Sequence, residues 1–334
     1  MIPPIVLHGL IYGGVAAIAL LTLTAWGIWF ERKFAGRMQS RLGPTMVGWA
    51  GLLQPLADVL KLLQKEDLVP AQADRTLYLL SPPLTVFFTL ATVAVIPFGV
   101  DVAVANLPIG VPWILAFSGL MVFPVWTAGW ASANKYALLG AMRAVAQGIS
   151  YEIPMLLTAL VPVIFAGSMN VNEIVRWQAE HHWIALWPPG PGLFAFVIFF
   201  LSCLAEANRI PFDIPEAESE LVAGVTTEYS GMRFGLFYLA EYLHTLVASA
   251  VASALFFGGW NGIFGLPDGI HWMLAKTLTL FFLITWIRWS LLRFRADQLM
   301  RICWTYLVPA SLALVMISAL WVHYAPQLGP MWGG

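Results

Sequence analysis

Residues 143–166, RAVAQGISYEIPMLLTALVPVIFA, decide the fold class. Past Arg143 the run carries one charged side chain, Glu152, among small and apolar residues. A helix needs about 20 residues to cross the roughly 30 Å hydrocarbon core of a bilayer, and this run supplies them. Similar runs lie at 5–30, 78–97, 113–132, 190–205, 236–257, 271–292 and 303–324, which makes eight candidate spans. The chain is 60% hydrophobic and only 10% charged, against about 25% for a soluble domain. A water-soluble fold is therefore excluded, and a net charge of −1 leaves no electrostatic footprint for nucleic acid. The start, MIPPIVLHGL, lacks the basic region and cleavage site of a secretory signal, so the first run is expected to remain as a helix.

Orientation follows from the loops. Arg32, Lys33, Arg37, Arg41, Lys61, Lys65, Arg75, Lys135, Arg143, Arg209, Arg233, Arg293, Arg295 and Arg301 sort to one face, while Arg176 and Lys276 fall on the other. The positive-inside rule then places both termini outside, on the periplasmic side, with inner loops at about 31–77, 133–142, 206–235 and 293–302. Within the first of these, WAGLLQPLADVLKLLQKE (49–66) repeats Leu52, Leu53, Leu56, Val59, Leu60 and Leu63 at helical spacing, with Gln54, Asp58, Lys61 and Lys65 opposite. This predicts an amphipathic helix lying in the membrane interface. With no internal repeat, residues 1–334 read as a single integral-membrane domain: an all-α, polytopic transmembrane helical bundle of about eight spans, with a structured acidic cytoplasmic loop.

Acidic residues carry the chemistry. Seven of the eighteen acids (Glu206, Asp213, Glu216, Glu218, Glu220, Glu228 and Glu241) crowd between 206 and 241, interleaved with Ile, Phe, Pro, Leu and Val as in a segment folded against protein. Crowded, buried carboxylates resist full ionisation, so such a series can relay protons or answer a nearby charge. Glu152 and Glu241 fall inside spans, where an ionisable group costs about 2.5–3.5 kcal/mol and is read as functional. His244 is three residues past Glu241, at hydrogen-bonding reach on one helix face. The basic segment ERKFAGRMQSRLGP (31–44) offers Arg32, Arg37 and Arg41 as planar forks for carboxylates, and RFRAD adds Arg293, Arg295 and Asp297. Cys203 and Cys303 sit in apolar runs and read as small core residues. His181 and His182 beside Glu180 do not make a metal site, and no nucleotide or iron–sulfur motif is present.

Six segments, ERKFAGRMQSRLGP, GLLQPLADVLKLLQKE, AVAQGISYEIP, AEANRIPFDIPEAESELVAG, TEYSGMRFGLFYLAEY and RFRADQLM, together resemble the H-subunit family of bacterial NADH:quinone oxidoreductase, respiratory complex I. Thr45, Trp49 and Ala296 depart from residues common in that family. The resemblance implies a subunit of an H+-translocating enzyme in the bacterial inner membrane, with no complete active site in this chain alone. It implies quinone as substrate, and FMN and iron–sulfur clusters held by partner subunits. Peripheral quinone-site subunits, small membrane subunits, antiporter-like subunits and membrane lipids would be its neighbours. By matching motif, Glu152, Glu206, Asp213, Glu216, Glu218, Glu220, Glu228 and Glu241 would couple protons. Arg32, Arg37, Arg41, Asp58, Arg293, Arg295 and Asp297 would line or support the quinone chamber, and the amphipathic helix would flank access from the lipid. The alternatives are the homologous subunit of a membrane-bound hydrogenase-type complex, disfavoured by the ERK…GRMQ and EAESELVAG segments, and a stand-alone proton or cation transporter, disfavoured by the lack of an inverted repeat. A purely structural anchor would not need the crowded acids.

Overall fold

The computed structural model describes residues 4–100, 102–186, 190–215, 222–262 and 266–324, with side chains from Tyr12 onward. Twelve α-helices are found among them: α1 Pro4–Met38, α2 Gln54–Gln64, α3 Arg75–Val93, α4 Gly110–Leu120, α5 Val122–Ala131 and α6 Lys135–Ala166, followed by α7 Val171–Glu180, α8 Pro191–Glu206, α9 Gly231–Phe256, α10 Ile270–Ser290, α11 Ala296–Ile302 and α12 Val308–Tyr324. Seven stretches are long and apolar enough to cross a membrane, and α8 is a shorter apolar helix beside them. At 16 residues α8 is about 24 Å long, roughly 6 Å short of the hydrocarbon thickness.

Local chemistry explains where the helices break or run on. Pro124 cannot donate to the carbonyl of Leu120, and the third span is accordingly split at Met121 into α4 and α5. Pro309 likewise withdraws a donor from the last span, where residues Cys303–Leu307 form a π turn that links α11 to α12. Asn134 caps α6 by accepting from the Tyr136 N–H, so the 133–142 stretch expected as a loop is helical from Lys135. Residues 293–302, also expected as a loop, turn helical at Ala296. α9 begins at Gly231, five residues before the expected span, which moves Glu241 from a helix opening to a helix interior.

The bundle is organised around α6 and α9. α6 packs on α5, α8 and α12, while α9 packs on α1, α3 and α10. In its most apolar stretch α9 is 89% buried, whereas those of α1 and of the joined α11–α12 stretch are 17% buried and leave most of their surface outside the bundle. Small residues permit the closest approach: a Cβ added at Gly129 of α5 would meet the Cβ of Ala141 on α6. Hydroxyls of Ser81, Thr85 and Thr89 in α3 and Thr245 and Ser249 in α9 bond carbonyls four residues back, which satisfies them without water. The amphipathic α2 lies across α1 and α9, with Leu56, Leu60 and Leu63 exposed as an interfacial helix requires. Cys203 and Cys303 are free and buried.

Lys276 lies in α10 and reaches the C-terminal end of α9. Its Nζ donates to the carbonyls of Phe257, Gly259 and Asn261 at 2.8, 3.0 and 2.7 Å, above the Trp183 ring. An ammonium there satisfies orphan carbonyls and complements the negative end of the helix dipole. Lys276→Met is expected to destabilise the protein by about 3 kcal/mol, because three carbonyls lose a charged donor at once. The check is a thermal unfolding midpoint several degrees below wild type in detergent; an unchanged midpoint contradicts the capping role.

Candidate functional site

Four separate elements converge on one buried ion cluster. Glu31 on α1 is 2% exposed and Arg209, in the turn after α8, is 1% exposed. Arg209 Nη1 donates to Glu31 Oε2 at 2.7 Å, and Arg209 Nε lies 3.2 Å from Glu241 Oε1 on α9 as an ion pair. Arg288 on α10 donates to the other Glu31 oxygen at 2.7 Å and to the Tyr242 hydroxyl at 3.3 Å. The Arg209 guanidinium also rests 3.9 Å from the centre of the Tyr242 ring. Burial by itself would make Arg209 easier to deprotonate, but the Glu241 and Glu31 carboxylates prevail and hold its pKa above the ordinary guanidinium value. Gln147 of α6 positions the turn that presents Arg209, since its Nε2 donates to the carbonyls of Ala205 and Phe212 at 2.6 and 2.7 Å.

Two cavities open beside this cluster. One, of about 350 Å³, is a mainly apolar slot between α1, α2 and α9, lined by Ile28, Val59, Leu62, Met232, Phe234 and Leu239 with Arg32, Asp58, Lys61 and Lys65 at its polar positions. The other, of about 630 Å³, is polar and is lined by Glu31, Arg32, Arg41, Gln54, Tyr238, Tyr242, Arg288 and Trp289. Arg32 and Tyr238 belong to both, so the cavities meet between them. Arg32 pairs with Asp58 on α2, and Asp58 also accepts from Gln54 Nε2 at 2.9 Å. The same amphipathic helix thus supplies exposed leucines on one side and a half-buried carboxylate on the other.

A second set of acids runs away from the cluster into the bundle. Glu206 ends α8, its Oε2 3.8 Å from His244 Nε2 on α9. Glu206, Glu241 and His244 together line a cavity of about 60 Å³, and Glu206, His244 and Ser118 line another of about 30 Å³. Both have mainly apolar walls that carry these few polar groups, and room for ordered water, which needs only about 10–15 Å³ per molecule. Glu152 on α6 faces Gly119 on α4 so closely that a Cβ there would overlap its carboxylate. Gly119→Ala is expected to leave the helices in place, because the flexible carboxylate can yield, while displacing Glu152. A thermal unfolding midpoint close to wild type checks this; a midpoint many degrees lower would show that the carboxylate cannot yield.

Other expected residues lie elsewhere. Arg37 is exposed at the last turn of α1, and Arg41 reaches the polar cavity while donating to Gln39 at 2.6 Å. Arg295 and Asp297 are exposed at the start of α11, Arg293 is half-buried just before it, and none of the three lines either large cavity. Glu228 is half-buried near α3 and α6, accepting from Asn134 Nδ2 at 2.5 Å. Asp213 is half-buried in the turn after Arg209. Glu216, Glu218 and Glu220 lie outside the described residues. Among the described residues no group of three or more His, Cys, Asp or Glu side chains is arranged to hold a metal ion.

Sequence reasoning misses Glu31, Arg288, Tyr238 and Tyr242. The basic segment that follows hides Glu31, although α1 continues to Met38 and carries it inside the bundle. Arg288 falls within the 271–292 run and belongs to neither set of loop charges; a charge inside an apolar run is the signal that could find it. The tyrosines stand four residues apart on α9, a spacing that marks one helix face but no particular chemistry.

Fold and site together define a polytopic α-helical membrane protein with an ion-paired interior and an apolar slot beside it. The chain belongs to the NADH dehydrogenase family, whose model matches residues 13–319. It is 46% identical over 301 residues to the H subunit of NADH-quinone oxidoreductase from Dehalococcoides mccartyi strain CBDB1, covering 90% of this chain and 83% of that protein. The corresponding protein of Syntrophotalea carbinolica, which carries the same name, is 46% identical over 319 residues, with 92% and 94% covered. That of Anaeromyxobacter dehalogenans is 42% identical over 353 residues, with 95% and 85% covered.

Proposed function

We propose that this chain is the membrane subunit of a proton-translocating NADH:quinone oxidoreductase that walls the quinone chamber and couples quinone reduction to proton movement through buried carboxylates. The observation that carries the proposal is the junction of an apolar, lipid-side slot with a polar, arginine-lined chamber, set directly against the Glu31–Arg209–Glu241–Arg288 cluster. A quinone has the matching anatomy, an apolar tail and a planar head with two oxygens. The volumes of slot and chamber also fall within the 300–1,000 Å³ usual for small-molecule sites.

Electrons reach the quinone from FMN and iron–sulfur clusters that belong to partner subunits. This chain supplies binding and charge. Arg32, Arg41 and Arg288 present guanidinium donors to the head, and reduction to quinol takes up two electrons and two protons. Negative charge arising on the quinone oxygens acts on the nearby cluster and draws protons toward the chamber. Water in the 60 Å³ cavity bridges Glu241 to Glu206 and His244, and Glu152 continues the series toward neighbouring membrane subunits. Asp213, Glu216, Glu218, Glu220 and Glu228 complete the acidic segment on the cytoplasmic side. Residues 1–334 act as one domain in the bacterial inner membrane, with both termini in the periplasm. The partners are the peripheral quinone-site subunits, the small membrane subunits and the antiporter-like subunits.

Photolabelling tests this directly. A quinone carrying a photoreactive head or tail, irradiated in membranes that contain the assembled complex, is expected to attach within 54–65 and 231–242. Excess unlabelled quinone should suppress that attachment. Labelling confined to other subunits would remove the chamber from this chain.

A further inference from the structure

The junction between the two cavities has jambs of different construction. Arg32 is fixed from α2 by its ion pair with Asp58. Tyr238 is fixed along its own helix: its hydroxyl lies 3.0 Å from the Tyr242 hydroxyl, and the two rings are 4.8 Å apart. Arg32 and Tyr238 are the two side chains that slot and chamber share, so they stand where the two cavities adjoin. Tyr242 is 2% exposed and cannot move freely, since it accepts from Arg288 at 3.3 Å and its ring lies under Arg209.

We propose that Tyr238 is the gating residue of the quinone passage, latched shut by its hydroxyl bond to Tyr242, so that admitting a quinone head both opens the throat and loosens Tyr242 from the ion cluster. The proposal rests on the quinone reading above. A head entering from the slot displaces the Tyr238 ring toward α2 or the lipid and breaks the hydroxyl bond, and Tyr242 then holds Arg288 and Arg209 less firmly. Tyr238 is thus a positioning residue that ties substrate arrival to the charges that answer reduction. A throat that is open only part of the time lowers apparent affinity by the open fraction.

Kinetics of the assembled complex in membranes, with a short-chain quinone and rates normalised to NADH oxidation by ferricyanide in the same membranes, decide the matter. Tyr238→Phe keeps the ring and removes the latch, and is expected to lower the quinone KM about fivefold, the worth of a net hydrogen bond, with kcat changing less. Tyr242→Phe should lower KM in the same direction, and the double variant should equal Tyr238→Phe alone, because all three break one latch. Additive effects of the two tyrosines, or an unchanged KM, overturn the gate. Photolabelling of wild type separates this failure from that of the underlying reading: label in the slot with additive tyrosines removes only the gate, whereas no label there removes both.

Discussion

Replacing Arg209 with methionine is expected to empty the membrane of assembled complex almost completely. Its guanidinium is wholly buried and is the ion partner that Glu241 shares with Glu31. Removing one member of a buried pair leaves a carboxylate desolvated without compensation, which costs about 3–5 kcal/mol. Against a marginal folding stability, that is a loss of a hundredfold or more in the folded ratio. Arg209→Lys should recover little, because a single ammonium on a flexible stem cannot serve two carboxylates from different helices. The double variant Arg209→Met/Glu241→Gln should recover part of the complex, since it removes the stranded charge as well as its partner. The amounts on a native gel, ordered wild type, double variant, single variant, check the argument; equal levels in all three would show that the cluster does not hold the fold.

Glu206→Gln is expected to produce the opposite profile, normal assembly with lost coupling. Glu206 faces His244 at 3.8 Å and lines three small cavities, a setting that leaves its carboxyl beside space for water. Glutamine is isosteric and neutral, so packing survives while the site can no longer bind and release a proton. Quinone reduction with proton pumping should fall at least tenfold, equivalent to about 1.4 kcal/mol on the coupled step, while the complex is present at wild-type levels. Full coupled activity in this variant would reject Glu206 as a relay.

The acids of the bundle divide by the way they are held. Glu31 and Glu241 are held by guanidiniums, and their first role is to bind α1, the turn after α8, α9 and α10 into one unit. Glu206 is enclosed beside a histidine and small cavities, and Glu152 lies against the backbone of Gly119, settings that suit groups that change charge. The sequence marks Glu152, Glu206 and Glu241 because each is an acid in or beside an apolar run, and it places His244 beside Glu241 by the i+3 spacing. It does not show that His244 faces Glu206, a residue from another helix. Nor does it separate Glu228, held beside Asn134 near α3 and α6, from the acids of the cluster.

Membrane residence, the approximate number of spans and the interfacial α2 were determined by the sequence alone, because the bilayer demands long uninterrupted apolar helices and periodicity reports a helix's faces directly. The family was legible as well, since whole motifs survive as strings. Which charges meet was decided only by the tertiary structure. Glu31 and Arg209 are 178 positions apart and Glu31 and Arg288 are 257 apart, and no local spacing carries pairings of that range. The meeting of slot and chamber at Arg32 and Tyr238 arises in the same way, from helices that become neighbours only when the bundle closes.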